Sequence, residues 1–256
     1  MANYYKHLFL IPLKNANSDL IYRLKEYASF NAEKFGFVVS IQDAMCYEQY
    51  ISVFQLKKNI FLVNPKQDFE RTEHWKFVIE YARENIIFDS FSYYFSGDEL
   101  RLKGFPALGD DADIYVNDYF IDEWSNCKEN ASIEQINKKA FRDIVSNNLY
   151  KGKPILAPLQ KIIFSNHMAE KIFFDNEYTF ISDQLLIEQL IKSGAKAAFI
   201  KSPFYKLNKK ERFYSNEIRL FEKIKQQIYL YAKFGCLLAC PAIVLRTLIK
   251  HFFKIY

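Results

Sequence analysis

Through its first two-thirds the chain alternates short apolar runs with amphipathic stretches, and this rhythm limits its fold more than any other feature. Residues 7–13 (HLFLIPL), 35–41 (FGFVVSI) and 59–63 (NIFLV) read as buried strands, each stopped by a polar or proline signal. Between the first two, Ser18-Asp19 offers an N-cap for a helix to about Phe30, with Leu20, Ile21, Leu24 and Tyr27 on one face. A second helix is predicted over 72–85, capped by Thr72, and an aromatic strand over 88–95 broken by Ser96-Gly97-Asp98-Glu99. Further on, 112–119 reads as a strand and 132–147 as a helix; 154–164 begins irregular and becomes strand-like. A helix over 183–192 stopped by Ser193-Gly194 and a strand over 197–200 complete this part. Such alternation predicts an α/β domain, a mostly parallel sheet covered by helices.

Composition agrees. Half of the 256 residues are hydrophobic, enough for a sizeable core, and seven Gly with seven Pro are too few for a loop-rich sandwich or a disordered linker. A net charge of +5 suits an anionic ligand such as a nucleotide diphosphate, or an anionic membrane, and falls short of a dedicated nucleic-acid binder. Cys46, Cys127, Cys236 and Cys240 show no metal-ligand spacing and read as reduced core thiols. The first residues lack a signal-peptide pattern, and no run reaches the ~18 apolar residues of a spanning helix. The expectation is a cytoplasmic protein.

In a doubly wound sheet, ligands bind beyond the carboxyl ends of the strands. Asp43, Asp98 and Asp183 stand just after strands or at a helix start. One such carboxylate can take a base or ribose hydroxyl, a second can hold a divalent ion against a diphosphate, and a third can serve as general base on a hydroxyl. Each also has a plainer reading as a turn or helix cap.

The order of these segments resembles the family 2 glycosyltransferases of the GT-A (Rossmann-like) fold. Ile11-Pro12-Leu13-Lys14-Asn15 is similar to that family's opening I-P-x-Y-N, and Val39-Ser40-Ile41-Gln42-Asp43 stands at its V-D-D-G-S nucleotide motif with one acid kept. Tyr94-Phe95-Ser96-Gly97-Asp98-Glu99 resembles F-L-D-S-D-D with Ser96 in place of the first Asp. Leu159-Gln160-Lys161-Ile162-Ile163 is similar to the G-K-L-Y segment. Phe173-Phe174-Asp175 and Ile181-Ser182-Asp183-Gln184-Leu185-Leu186 resemble R-F-D and E-D-L-L, with Ser182 replacing Glu. The segment 198–205, ending Pro203-Phe204-Tyr205, resembles one that ends P-L-Y.

The resemblance implies transfer of a hexose or related sugar from a nucleotide-sugar donor, a UDP-sugar first, to an oligosaccharide or lipid-linked acceptor of a bacterial surface glycan of the lipopolysaccharide or capsule type. It implies inverting displacement with Asp183 as base. Pro12, Asn15, Asp43 and Lys161 fall on the donor, and Asp98 with Glu99 on Mn²⁺ or Mg²⁺. The D-x-D formed by Asp111 and Asp113 is the second choice for the metal, and Lys161 also has a reading as a surface lysine. A GT-A-like domain that binds a glycan or partner without turnover stays open as the alternative.

Residues 1–215 are expected to form the catalytic domain and 216–256 a helical, basic and apolar tail. In that tail Arg246, Lys250 and Lys254 recur every fourth residue, and Pro241 interrupts the apolar run as a kink. Two roles are open for the tail: a peripheral helix at the inner membrane face, or a packing or dimer element.

Overall fold

The computed structural model describes residues 4–15, 18–109, 111–117, 133–136, 138–151, 159–200, 204–206 and 218–253. The chain opens with β1 (Tyr4–Leu13), α1 (Ser18–Ser29), β2 (Phe35–Ile41), α2 (Ala44–Phe54), β3 (Ile60–Val63), α3 (Arg71–Asn85) and β4 (Ile87–Tyr93). It continues through β5 (Glu99–Leu100), β6 (Ile114–Asn117), β7 (Ile133–Ile136), α4 (Lys138–Tyr150), β8 (Ile162–Ser165) and α5 (Ser182–Ser193). Then come β9 (Ala197–Ile200), β10 (Tyr205–Lys206), α6 (Leu220–Lys233) and α7 (Cys240–Phe253).

Eight strands form one sheet in the order β3-β2-β1-β4-β8-β6-β9-β7, and β10 pairs with β5 in a separate ribbon. β3, β2, β1 and β4 are parallel neighbours, and β6 is parallel to β9. β8 runs against both β4 and β6, and β7 runs against β9.

Both faces of the sheet are covered, which explains the unbroken apolar runs of β1 and β2. Successive side chains point to opposite faces. Leu8 and Leu10 join a core with Trp75, Val78 and Ile79 of α3, Leu186 and Leu190 of α5, Leu230 of α6 and Ile243 of α7. Phe9, Ile11 and Leu13 join a second core with Leu20, Leu24 and Tyr27 of α1 and Tyr50 and Phe54 of α2. Each fully buried side chain of this size contributes about 1.5–3 kcal/mol of transfer free energy.

Four details depart from the sequence expectations. The stretch 44–54 is a helix that the apolar spacing does not announce. Residues 133–136 are the edge strand β7, so the helix expected over 132–147 starts later, at Lys138. α3 begins at Arg71, one residue earlier than expected. The Glu73 carboxylate accepts from the Glu70 N–H (3.1 Å), while Thr72 lies inside the helix and donates its hydroxyl to Asn176 Oδ1 (2.7 Å). Pro241 kinks nothing: it sits in the first turn of α7, where its missing N–H leaves no helical bond unmade. The turn between α6 and α7 is made by Gly235, at φ 69°. At Gly194 the expected stop holds, with a left-handed residue (φ 79°) whose N–H closes α5.

Candidate active site

At the carboxyl ends of β1 and β2 the backbone is tied together: the Gln42 N–H donates to Leu13 O and the Asp43 N–H to Lys14 O, both at 3.1 Å. This places the half-buried Pro12 and Asp43 and the exposed Asn15 along one rim. Asp43 caps α2, its Oδ1 accepting the Cys46 N–H at 2.8 Å, and that bond holds its carboxyl below the usual carboxylate range.

Behind the rim lies a buried polar network. The Gln42 side-chain amide donates to His74 Nδ1 (2.9 Å) and Phe69 O (3.1 Å), and His74 Nε2 meets Ser40 Oγ at 2.8 Å. Because Nδ1 accepts, the imidazole is neutral with its hydrogen on Nε2. Burial lowers its pKa from 6.5 to about 4. The unfolded imidazole therefore takes up a proton at a pH where the native one refuses it, so stability present above pH 6.5 is lost as the pH falls toward 4. At 1.36 kcal/mol per unit, the loss is about 3 kcal/mol. Urea midpoints measured between neutral pH and about pH 4.5 should fall less steeply in His74→Gln than in the wild type. Equal slopes would assign the acid loss to other groups.

β4 leads directly into the segment 94–99. The Tyr94 N–H donates to Leu10 O (2.9 Å), Gly97 turns the chain at φ 116°, and the Asp98 N–H closes the turn on Phe95 O (3.2 Å). The Asp98 carbonyl accepts from the Tyr94 hydroxyl and from Arg23 Nη1 of α1, both at 2.5 Å. The Asp98 carboxylate is buried and accepts the Tyr205 hydroxyl from β10. Burial first, and then the Asp98 charge, push the Tyr205 pKa well above 10, so it stays a donor. Glu99 pairs with Lys206, also of β10, at 3.4 Å. Among the described residues no three His, Cys, Asp or Glu side chains converge as a metal site. Both carboxylates are thus engaged by β10.

Lys161 ends the turn that leads into β8, and because β8 runs against β4 this places it at the carboxyl end of β4. Asp183 stands in the first turn of α5, its Oδ1 accepting the Gln184 N–H at 3.0 Å. Part of its surface is open, yet protein packs round it densely enough that burial raises its pKa, against the pull of the Arg71 charge and nearby N–H groups. Arg71, the first residue of α3, lays its guanidinium 4.2 Å from the centre of the Trp75 ring. Trp75 in turn packs on Phe95 (5.7 Å), beyond β4, and on Phe174 (5.1 Å). Arg71, Trp75, Phe95 and Asp183 thus form one group at the carboxyl end of β4. Ser182, beside Asp183, is buried, and its hydroxyl has no hydrogen-bond partner among the described residues.

Asp111 and Asp113 lie at the other end of the sheet, before β6. The Asp113 carboxylate accepts the Lys196 N–H (2.6 Å) and meets His167 Nε2 (2.6 Å). Burial alone would raise its pKa, but these partners outweigh that and hold it below the usual range. A cleft of about 870 Å³ opens at this amino end beside His167, Lys34 and Asp89, away from the gathered residues. A smaller one of about 580 Å³, between α1 and the Gly97 turn, reaches Glu99 and Arg23. The candidate site is the carboxyl end of the parallel strands, where ligands bind in sheets of this kind and where Asp43 and Asp183 stand.

Arg71, Arg23, Gln42 and His74 are absent from the sequence-derived set. Arg71 adjoins the expected start of α3, but only the folded chain brings it to Asp183.

No protein-family model matches the sequence, and no curated protein matches it. Solved structures do match. S. aureus TarS 1–349 aligns at a TM-score of 0.59 with 11% identity, over 96% of this chain and 72% of that one. Its complex with UDP aligns at 0.59 with 10% identity and the same coverage. The mannosyltransferase PcManGT from Pyrobaculum calidifontis, in complex with GDP-Man and Mn²⁺, aligns at 0.56 with 11% identity, over 94% of this chain and 72% of that one. With its mostly parallel sheet, helices on both faces and helical C-terminal part, the chain has the GT-A fold.

Proposed function

We propose that the chain is a nucleotide-sugar-dependent glycosyltransferase acting on a glycan hydroxyl. The observation that carries this is Asp183, a carboxyl made more basic by burial, set beside Arg71 at the carboxyl end of the parallel strands. The nucleoside lies along the rim of Pro12, Asn15 and Asp43. Asp183 takes the proton of the acceptor hydroxyl as its oxygen attacks the anomeric carbon. The bond from that carbon to the phosphate oxygen breaks on the opposite face, and the nucleoside diphosphate leaves with the electron pair. Arg71 and Lys161 offer positive charge to that leaving group. The UDP and GDP-mannose held by structures of the same fold support a donor of this kind.

A second reading, a domain that holds a nucleotide sugar without turning it over, is favoured by the tying of Asp98 and Glu99 to β10.

A thermal-shift screen of UDP-, GDP-, CMP- and dTDP-sugars, each with and without Mn²⁺, tests both. A donor at about one hundred times its Kd adds about 2.7 kcal/mol, which for a chain of this size raises Tm by roughly 5–10 °C. The Mn²⁺ arms show whether an ion contributes. If no donor moves Tm, both readings fail. If a donor binds but no nucleoside diphosphate is released from it, with or without acceptor, the binding domain is the answer.

A further inference from the structure

α7 turns Ile243 and Thr247 inward, and Thr247 Oγ1 donates to Gln227 Oε1 at 2.8 Å. At 3.6 residues per turn, the opposite side carries Leu245, Ile249 and Phe252, with Phe253 at its margin. These are 59%, 42%, 72% and 73% exposed, and Leu238, in the turn before α7, is 91% exposed. No charged side chain interrupts the stripe. Arg246 and Lys250 fall between it and the buried face.

Isolated exposed apolar residues are ordinary, but a continuous apolar stripe with cations along one edge fits a helix lying in a membrane interface. α7 has 14 residues, and among the described residues no helix is long and apolar enough to cross a membrane. The segment 223–256 contains no Asp or Glu, whereas Lys223, Lys225, Lys233, Arg246, Lys250 and Lys254 are all cationic. A second copy of the chain docking here would meet the same cations with no carboxylate from this segment to answer them. Anionic lipid headgroups do answer them.

We infer that the outer face of α7 docks the protein flat on a membrane surface carrying anionic lipid. Leu245, Ile249 and Phe252 enter the acyl boundary, and Arg246, at the edge of the stripe, together with Lys250 above it adds positive charge toward the headgroups. This surface is independent of the transfer reading.

The test is flotation of the full chain with phosphatidylcholine vesicles, with or without phosphatidylglycerol. The wild type should float with the anionic vesicles and lose most of that binding at high salt. Leu245→Asp combined with Phe252→Asp should lower the bound fraction more than about tenfold. Lys250→Glu should lower it roughly fivefold or more. All three positions are exposed, and unchanged circular dichroism confirms folding. The donor-induced rise in Tm, measured in the same variants, separates lost docking from lost donor binding. Equal flotation by wild type and double variant overturns the proposal. So does an absence of flotation together with a dimer, seen by light scattering, that Leu245→Asp dissolves, since that would give the face to a second copy.

Discussion

Asp183→Asn should reduce sugar transfer by about 10²–10⁴-fold while leaving the donor Kd essentially unchanged. The amide keeps the shape of the side chain and its bond from the Gln184 N–H, but it cannot accept the acceptor's proton. Single-turnover transfer and calorimetric donor binding measure the two halves of this claim. A variant that keeps most of its turnover would remove Asp183 as the base.

The pH profile adds a sign. Asp183 works only when ionised, so the rate falls on the acid side as the pH drops through its pKa, which burial has lifted above 3.8. The Arg71 charge pulls that pKa down. Arg71→Gln should therefore move the acid limb to higher pH. A limb that stays in place, with a changed plateau alone, would mean Arg71 acts on the substrate and not through Asp183.

Trp75→Ala should destabilise the protein by about 3–5 kcal/mol, the ordinary cost of emptying a large aromatic site. The ring is buried and packs on Tyr93, Phe95 and Phe174 while carrying the Arg71 guanidinium on its face. Urea unfolding gives the size of the loss. Arg71→Met, which removes only the cation from the ring, should cost no more than about 1 kcal/mol. A Trp75→Ala loss no larger than that of Arg71→Met would show that the aromatic group is not a structural hub.

Much of this architecture can be read from particular residues. β1 and β2 announce themselves because both faces are buried and the runs are unbroken. α5 does so because Ser193-Gly194 ends it. α2 is hidden because only Tyr50 and Phe54 of its residues are fully buried, which leaves a faint periodicity. In β7, Ile133 and Ile136 fall three apart and imitate a helical face, and only pairing with β9 makes them a strand. The reversal of β8 is invisible in IIFS, since a short apolar run carries no direction. At the site, Asp43, Asp98 and Asp183 stand out as acids after strands or at a helix start. What each one faces does not, because Tyr205 reaches Asp98, and the Arg71 charge acts on Asp183, only when the chain folds back across the sheet.

The antiparallel β8 also has a cost during synthesis. Once residue 93 has emerged, β3, β2, β1 and β4 can pair through the crossovers of α1, α2 and α3, but β4 is then an open edge bearing Phe88, Phe91 and Tyr93. Its partner, which sets Phe164 against Phe91, leaves the ribosome much later. At about 5–20 residues per second the nascent half-sheet waits on the order of seconds with an aromatic strand uncapped. Misassembly of this protein should start at β4, and a chaperone that shields nascent strands should raise the yield of folded chain more than slower unfolding would.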